Sequence, residues 1–177
     1  MHSRVVNKNY LYLQDIILLM LCLLSDRISK YFVIKKLKGH AAVSLFNGVF
    51  EFRYTENPGA AFSVLKDQTS FFVLICIVVI LTGGYFLIKS PGRSKYILSH
   101  IFITMILGGA ISNIVDRLMY SAVVDFIYVN SFDFPIFNIA DIFLTVGTLG
   151  LVWALVFYYK EDDLNFLRFK EKKIREI

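Results

Sequence analysis

The chain has 177 residues, 56% of them hydrophobic and only 19% charged, with a mean hydropathy of +0.60, a balance too apolar and too poor in loops for an ordinary soluble domain. The formal charge of +5 does not point to nucleic acid. The basic residues sit on short flanks, mainly the tail RFKEKKIREI, and no basic patch is interleaved with stacking aromatics.

Crossing a hydrocarbon core of ~30 Å takes about 20 residues at ~1.5 Å each, and four windows qualify: roughly 12–34, 71–88, 96–115 and 142–159. The first is interrupted by Asp26, Arg27 and Lys30. Arg4 and Lys8 precede it in the manner of a signal peptide, yet no small-residue cleavage site follows and the apolar run resumes at Tyr31-Phe32-Val33-Ile34, so it reads as a retained span. Asp26 and Lys30 are four apart, share a helical face and can pair, which lowers the cost of holding both in the bilayer. Cys22 and Cys76 lie mid-span in separate apolar runs and read as packing residues rather than as a disulfide or a nucleophile.

After the first span, Phe50-Glu51-Phe52-Arg53-Tyr54-Thr55 alternates aromatic and polar residues, which predicts a strand with one apolar face. Asn57-Pro58-Gly59 then forces a turn. In the third span Gly109, Asn113 and Asp116 line one helical face that is small and polar, suited to a neighbouring helix or a polar cavity and never to lipid. Gly147 and Gly150 give the fourth span a similar packing surface, and Thr145 and Thr148 can bond to backbone carbonyls. With no internal repeat or long linker, residues 1–177 read as one domain: an all-α membrane fold of four transmembrane helices with a small extracytoplasmic β-strand and loop element.

Residues 1–12, 89–95 and 160–177 carry 2, 3 and 6 Lys/Arg, whereas 35–70 and 116–141 carry 5 and 1 together with seven Asp/Glu. The positive-inside bias therefore predicts cytoplasmic termini and two longer loops outside.

Metal and serine chemistry find no footing. His2, His40 and His100 are scattered, His100 reading as a helix-packing or interfacial residue, and neither HExxH nor GxSxG occurs. Three aspartates remain at or beside the ends of apolar runs: Asp116 in GGAISNIVDR, Asp125 in VVDF and Asp141 in FPIFNIAD. They fall in one hairpin-like stretch and are expected at similar depth on one side of the membrane. Ionisable groups there read by default as functional, and two neighbouring carboxylates sharing one proton can activate water while polarising a carbonyl. Asp116, next to Arg117, favours an ion-pair role. Asp125 has no basic neighbour in sequence, and Asp141 stands evenly between chemistry and a first-turn carboxylate on the helix dipole.

The ordered blocks DRISK, NPGAAFS, GGAISNIVDR, VVDF and FNIAD, spread over roughly residues 20 to 150, resemble the lipoprotein signal peptidases, the type II signal peptidases of bacteria. The resemblance implies a four-helix enzyme of the inner membrane, and the Lys/Arg balance adds that both termini are cytoplasmic and the site is near the outer face. It implies an aspartic endopeptidase that cleaves diacylglyceryl-modified prolipoproteins before the lipidated cysteine. Its catalytic dyad would fall on Asp125 and Asp141. Asp26, Lys30, Asn57, Gly59, Asn113, Asp116, Arg117, Asn138 and Ala140 would support the dyad, the substrate backbone or the architecture.

The partners implied are the lipidated substrate and membrane lipid, with no cofactor or metal, and a monomer is expected. Ser112 and Ser121 stand where glycine is common in the family, and Ile142 where a small polar residue often follows the aspartate. The rival class is a small proton- or ion-coupled transporter using Asp26, Lys30 and Asp116 as a relay. A presenilin-like protease is set aside because GxGD is absent.

Overall fold

A computed structural model describes residues 4–59, 69–130 and 134–167. The tail 168–177, His2 and the AAFS portion of NPGAAFS lie outside the described residues. The described chain is mostly helical. It runs α1 (Lys8–Leu37), β1 (Val43–Leu45), β2 (Phe50–Asn57), α2 (Thr69–Lys89), α3 (Ile97–Tyr120), β3 (Val123–Val129) and α4 (Ile139–Trp153).

Among the described residues, three helices are long and apolar enough to cross a membrane: Ser70–Lys89, Ser94–Tyr120 and Ile139–Tyr158. The first predicted span, 12–34, lies inside the 30-residue α1, which carries Asp15, Asp26, Arg27 and Lys30 and is not in that set. Those charges are not spread around the helix. Asp15, Asp26 and Lys30 are buried against the bundle, while Leu13, Ile16, Ile17, Met20, Leu21, Leu24 and Ile28 face outward.

Helix α3 is the central element, touching α1, α2 and α4, and its glycines explain how. A Cβ on Gly108 would stand 2.6 Å from the Cys22 Cβ of α1, and one on Gly109 would collide with the Ala140 carbonyl oxygen of α4. Adjacent positions thus admit two helices at close range, the usual device where lipid offers no hydrophobic drive between helices. Gly147 and Gly150 do the same in reverse, receiving the Phe102 backbone and ring from α3, as expected from sequence. Cys22 and Cys76 are both free.

Among the described residues, the predicted strand is one of three. The sheet is antiparallel in the order β1-β2-β3, with a register shift between Phe52 and Thr55. Sequence alone missed β3 because VVDFIYV carries no period-2 alternation: its first four residues are all buried. Val124 and Phe126 pack on Val33 and Leu37 at the end of α1, which turns Asp125, between them, to the opposite face. Asp116, Asp125 and Asp141 consequently do not lie along one hairpin but on α3, β3 and α4. Ser121 caps α3 at φ 57°, ψ 9°, with its N–H on the Arg117 carbonyl. That left-handed geometry is the physical reason a glycine suits this position.

At the other end of the bundle the Tyr96 and Tyr159 rings stack at 5.8 Å. Tyr96 donates to the Asp163 carbonyl, and Lys95 pairs with the Asp163 carboxylate, tying the chain after α4 to the start of α3.

Replacing Gly109 by Ala should force α4 off α3 and cost about 1–3 kcal/mol. Gly84→Ala, on α2 with open space around its Cα, should be neutral or slightly stabilising. Thermal unfolding in detergent separates the two, and equal shifts would refute the close-contact assignment.

Candidate active site

Four ionisable side chains from two helices, Asp26, Lys30 and Asp116 buried and Arg27 half-buried, form the cluster on which the site rests. Lys30 Nζ lies 2.8 Å from Asp26 Oδ2 and 2.7 Å from Asp116 Oδ2, and Arg27 Nη1 lies 2.6 Å from Asp116 Oδ1. Two carboxylates and two cations make the cluster formally neutral, as burial of charge requires. The predicted Asp26–Lys30 pair is therefore present. The predicted Asp116–Arg117 pair is not: adjacent residues on a helix point about 100° apart, so Asp116 turns to α1 while Arg117 turns to α2. Arg117 donates to the Asn113 and Gly59 carbonyls and lies 5.0 Å from the Phe72 ring centroid.

Asp26 also reaches the start of α4. Its Oδ1 accepts the Ala140 N–H at 3.0 Å, while its Oδ2 accepts the Ser112 hydroxyl at 2.5 Å. Arg27 donates to both the Ser112 carbonyl and hydroxyl. Ser112 is thus part of this cluster, and Ala140 is fully buried with its N–H satisfied by a helix far away in sequence.

Asn138 joins the two remaining aspartates. As N-cap of α4 it closes a capping box with Asp141: its Oδ1 accepts the Asp141 N–H at 3.0 Å, and its own N–H donates to Asp141 Oδ2 at 3.1 Å. Its side-chain amide donates to Asp125 Oδ1 at 2.7 Å. Backbone pairing between Phe137 and Ile127 lays this segment beside β3 and brings Asn138 to Asp125. The other oxygens are held too. Asn57 Nδ2 donates to Asp125 Oδ2 at 2.8 Å and Asn113 Nδ2 to Asp141 Oδ1 at 2.8 Å. Asn57 Oδ1 in turn accepts the Gly59 N–H at 3.0 Å, so the predicted turn also aims the Asn57 amide.

Asp125 and Asp141 share a cavity of about 580 Å³ with mostly apolar walls, including Phe72, Ile75 and Cys76 of α2, Phe134, Ile136 and Phe137 before α4, and Ile142 and Val146 on α4. Burial, and after it the charge of Asp141, pushes the Asp125 carboxyl up to about 7, against the downward pull of the Asn57 and Asn138 amides and of Lys30. Of the eleven residues singled out from sequence, all are described, and hydrogen bonds or ion pairs link every one of them into this site.

The chain matches the family described as Signal peptidase (SPase) II over residues 18–157. The chain belongs to the signal peptidase II family. Similar proteins of known name are lipoprotein signal peptidases. That of Clostridium tetani is 38% identical over 84% of this chain and 94% of the relative, and that of Streptococcus pyogenes serotype M2 is 36% identical over 88% and 97%. A solved structure described as a bacterial membrane enzyme, obtained by the in meso method at 2.3 Å resolution, superposes with a TM-score of 0.74 at 28% identity, covering 98% of this chain and all of that one. A second, at 1.9 Å resolution, gives 0.74 at 29% identity over 90% and 99%. A signal peptidase II leaves the transporter reading without support, and the proposed relay residues Asp26, Lys30 and Asp116 sit together in one neutral cluster rather than in a file across the membrane.

A second polar cluster escaped the sequence reading. Asp15 Oδ2 lies 2.7 Å from His100 Nδ1, and Thr104 donates to Asp15 Oδ1 at 3.2 Å, all three buried between α1 and α3. His100 is thus a bonded partner of α1 as well as a packing residue. An aspartate inside an apolar window was the available signal, the same one that distinguishes Asp26. His100→Leu should strip Asp15 of its shortest hydrogen bond and cost about 1.5–3 kcal/mol, whereas the double variant with Asp15→Leu should cost less than the sum of the two. Unfolding of the single and double variants in detergent checks this, and strict additivity would refute the pairing.

Proposed function

We propose that the chain is an aspartic endopeptidase of the bacterial inner membrane that removes signal peptides from diacylglyceryl-modified prolipoproteins, cleaving before the lipidated cysteine, with Asp125 and Asp141 as its catalytic dyad. Membership of the signal peptidase II family carries the prolipoprotein substrate. The observation that supports the aspartic mechanism is the Asn138 clamp: one residue donates to both carboxylates at the wall of an apolar cavity.

Two carboxylates so held cannot both ionise cheaply, and one proton resides on the pair. Asp141 stands in the first turn of α4, where the helix dipole favours negative charge. Asp125 lies on a strand without that help, and burial pushes it up to about 7. Asp141 is accordingly the base that takes a proton from the attacking water. Asp125, protonated, hydrogen-bonds the scissile carbonyl oxygen and stabilises the charge that develops on it. Collapse of the tetrahedral intermediate passes the proton held by Asp141 to the leaving amine, and the dyad returns to its starting state.

α1 is the fourth transmembrane helix in this reading. Its 30 residues span about 45 Å, and Asp15, Asp26 and Lys30 are buried against the bundle rather than facing lipid, which lowers the main cost of inserting them. The Lys/Arg balance puts the termini in the cytoplasm and the sheet with the dyad at the outer side. The apolar cavity walls suit the acyl chains of the substrate, leaving them continuous with the bilayer, and a monomer contains every group the mechanism uses.

Asp125→Asn and Asp141→Asn should each lower the rate of cleavage of a purified diacylglyceryl prolipoprotein by at least about 10³-fold while leaving the protein folded. Normal turnover by either would overturn the dyad. For the parent enzyme, kcat/KM should fall as pH rises through about 7, because the carbonyl-polarising proton on Asp125 is lost. A rate flat to two pH units above that value would contradict the assignment of roles.

A further inference from the structure

Both carboxylates of the dyad accept two N–H donors each, yet the donor on Asp141 Oδ1 is a side-chain amide whose orientation has to be set by something else. A carboxamide turned through 180° exchanges its oxygen for its nitrogen. Turned the wrong way, Asn113 would present Oδ1 to the Asp141 oxygen, and two acceptors would face one another unless Asp141 took up a proton. The orientation is fixed at the far side of the amide. Asn113 Oδ1 accepts from Lys30 Nζ at 3.4 Å and from Asn138 Nδ2 at 3.3 Å, and with both donors on the oxygen the nitrogen is committed to Asp141. Lys30 has three N–H groups and three acceptors, Asp26, Asp116 and Asn113, so no donor is spare. It is buried, and no substrate group in the cavity is needed to satisfy it.

We propose that Lys30 is a positioning residue for the reaction: acting through Asn113, it keeps an N–H directed at Asp141 and so holds that carboxylate in the charged form that takes the proton from water. The inference rests on the dyad reading above and adds to it a group that touches neither carboxylate. Charged or titratable groups surround this turn of α4 from each neighbouring element: Asp26, Arg27 and Lys30 on α1, Cys76 on α2, Asp116 and Arg117 on α3, and Asp125 on β3. Of these, Lys30 alone donates to the amide that contacts Asp141 through its side chain.

Lys30→Met alone would leave two buried carboxylates to share one cation, Arg27, so the informative variant is Lys30→Met with Asp116→Asn, which leaves Asp26 and Arg27 as a neutral pair. Asn113→Leu is the second variant, removing the amide while keeping the charged cluster whole. The measurement is the pH profile of kcat and KM for cleavage of a diacylglyceryl prolipoprotein, with thermal unfolding recorded alongside.

Both variants should move the acid limb of kcat upward by at least about one pH unit, with KM changed less than about threefold, and Lys30→Arg should keep the parent limb. The triple variant should show the limb of Asn113→Leu with no further shift, because both changes break one relay. A limb that stays in place in folded Asn113→Leu overturns the proposal, whether or not the other variants fold. So do additive shifts, which would mean that Lys30 acts on Asp141 directly through its charge. Failure of the dyad reading itself looks different: Asp141→Asn would then cleave normally.

Discussion

Everything at this site depends on the pairing of buried charge between α1 and α3. A lone carboxylate or ammonium inside a helical bundle is expensive enough to unfold it or to lose its charge. Here Asp26, Lys30, Asp116 and Arg27 close into a neutral cluster, and that closure fixes how α1 and α3 dock. The oxygen of Asp26 left over from the ion pairs then grips the Ala140 N–H, one residue before Asp141. An electrostatic necessity of burial is thereby converted into a positional constraint on the first turn of α4.

The polar network continues outward without interruption. Lys30 bonds Asn113, Asn113 bonds Asp141, Asn138 bonds both carboxylates, and Asn57 closes the far side of Asp125. Three asparagines do most of this work, and the choice of residue has a physical basis. A carboxamide both donates and accepts, so it can link a cation to a carboxylate without adding charge to a cavity whose walls are apolar. Close approach of the helices that carry these groups comes from Gly108 and Gly109, one facing each neighbour.

Much of this was legible in the sequence, for identifiable reasons. Apolar runs of the right length located the helices, and the i, i+4, i+7 spacing of Gly109, Asn113 and Asp116 located the inward face of α3. The pairing of Asp26 with Lys30 followed from helical geometry alone. What sequence could not supply was long-range. The Asp116 ion-pair partners lie on α1, some 90 positions away in the chain, while the tempting neighbour Arg117 points elsewhere. β3 was hidden because it is buried on both faces and lacks alternation. Asp15 and His100 were hidden because a single polar residue in an apolar window reveals nothing of its partner. Asn138 could be named by resemblance, but its double attachment depends on the Phe137–Ile127 pairing, which no local pattern announces.

The most direct test of the central claim, one proton on a pair of clamped carboxylates, is to observe that proton. Infrared spectroscopy of the enzyme in lipid nanodiscs, with isotope-labelled aspartate and roughly one pH unit below the Asp125 value of about 7, reports protonated carboxyl groups by their C=O stretch. The account predicts a labelled band that titrates away near that value and is missing in Asp125→Asn. A band that survives that substitution, or no protonated aspartate at all under those conditions, would contradict it.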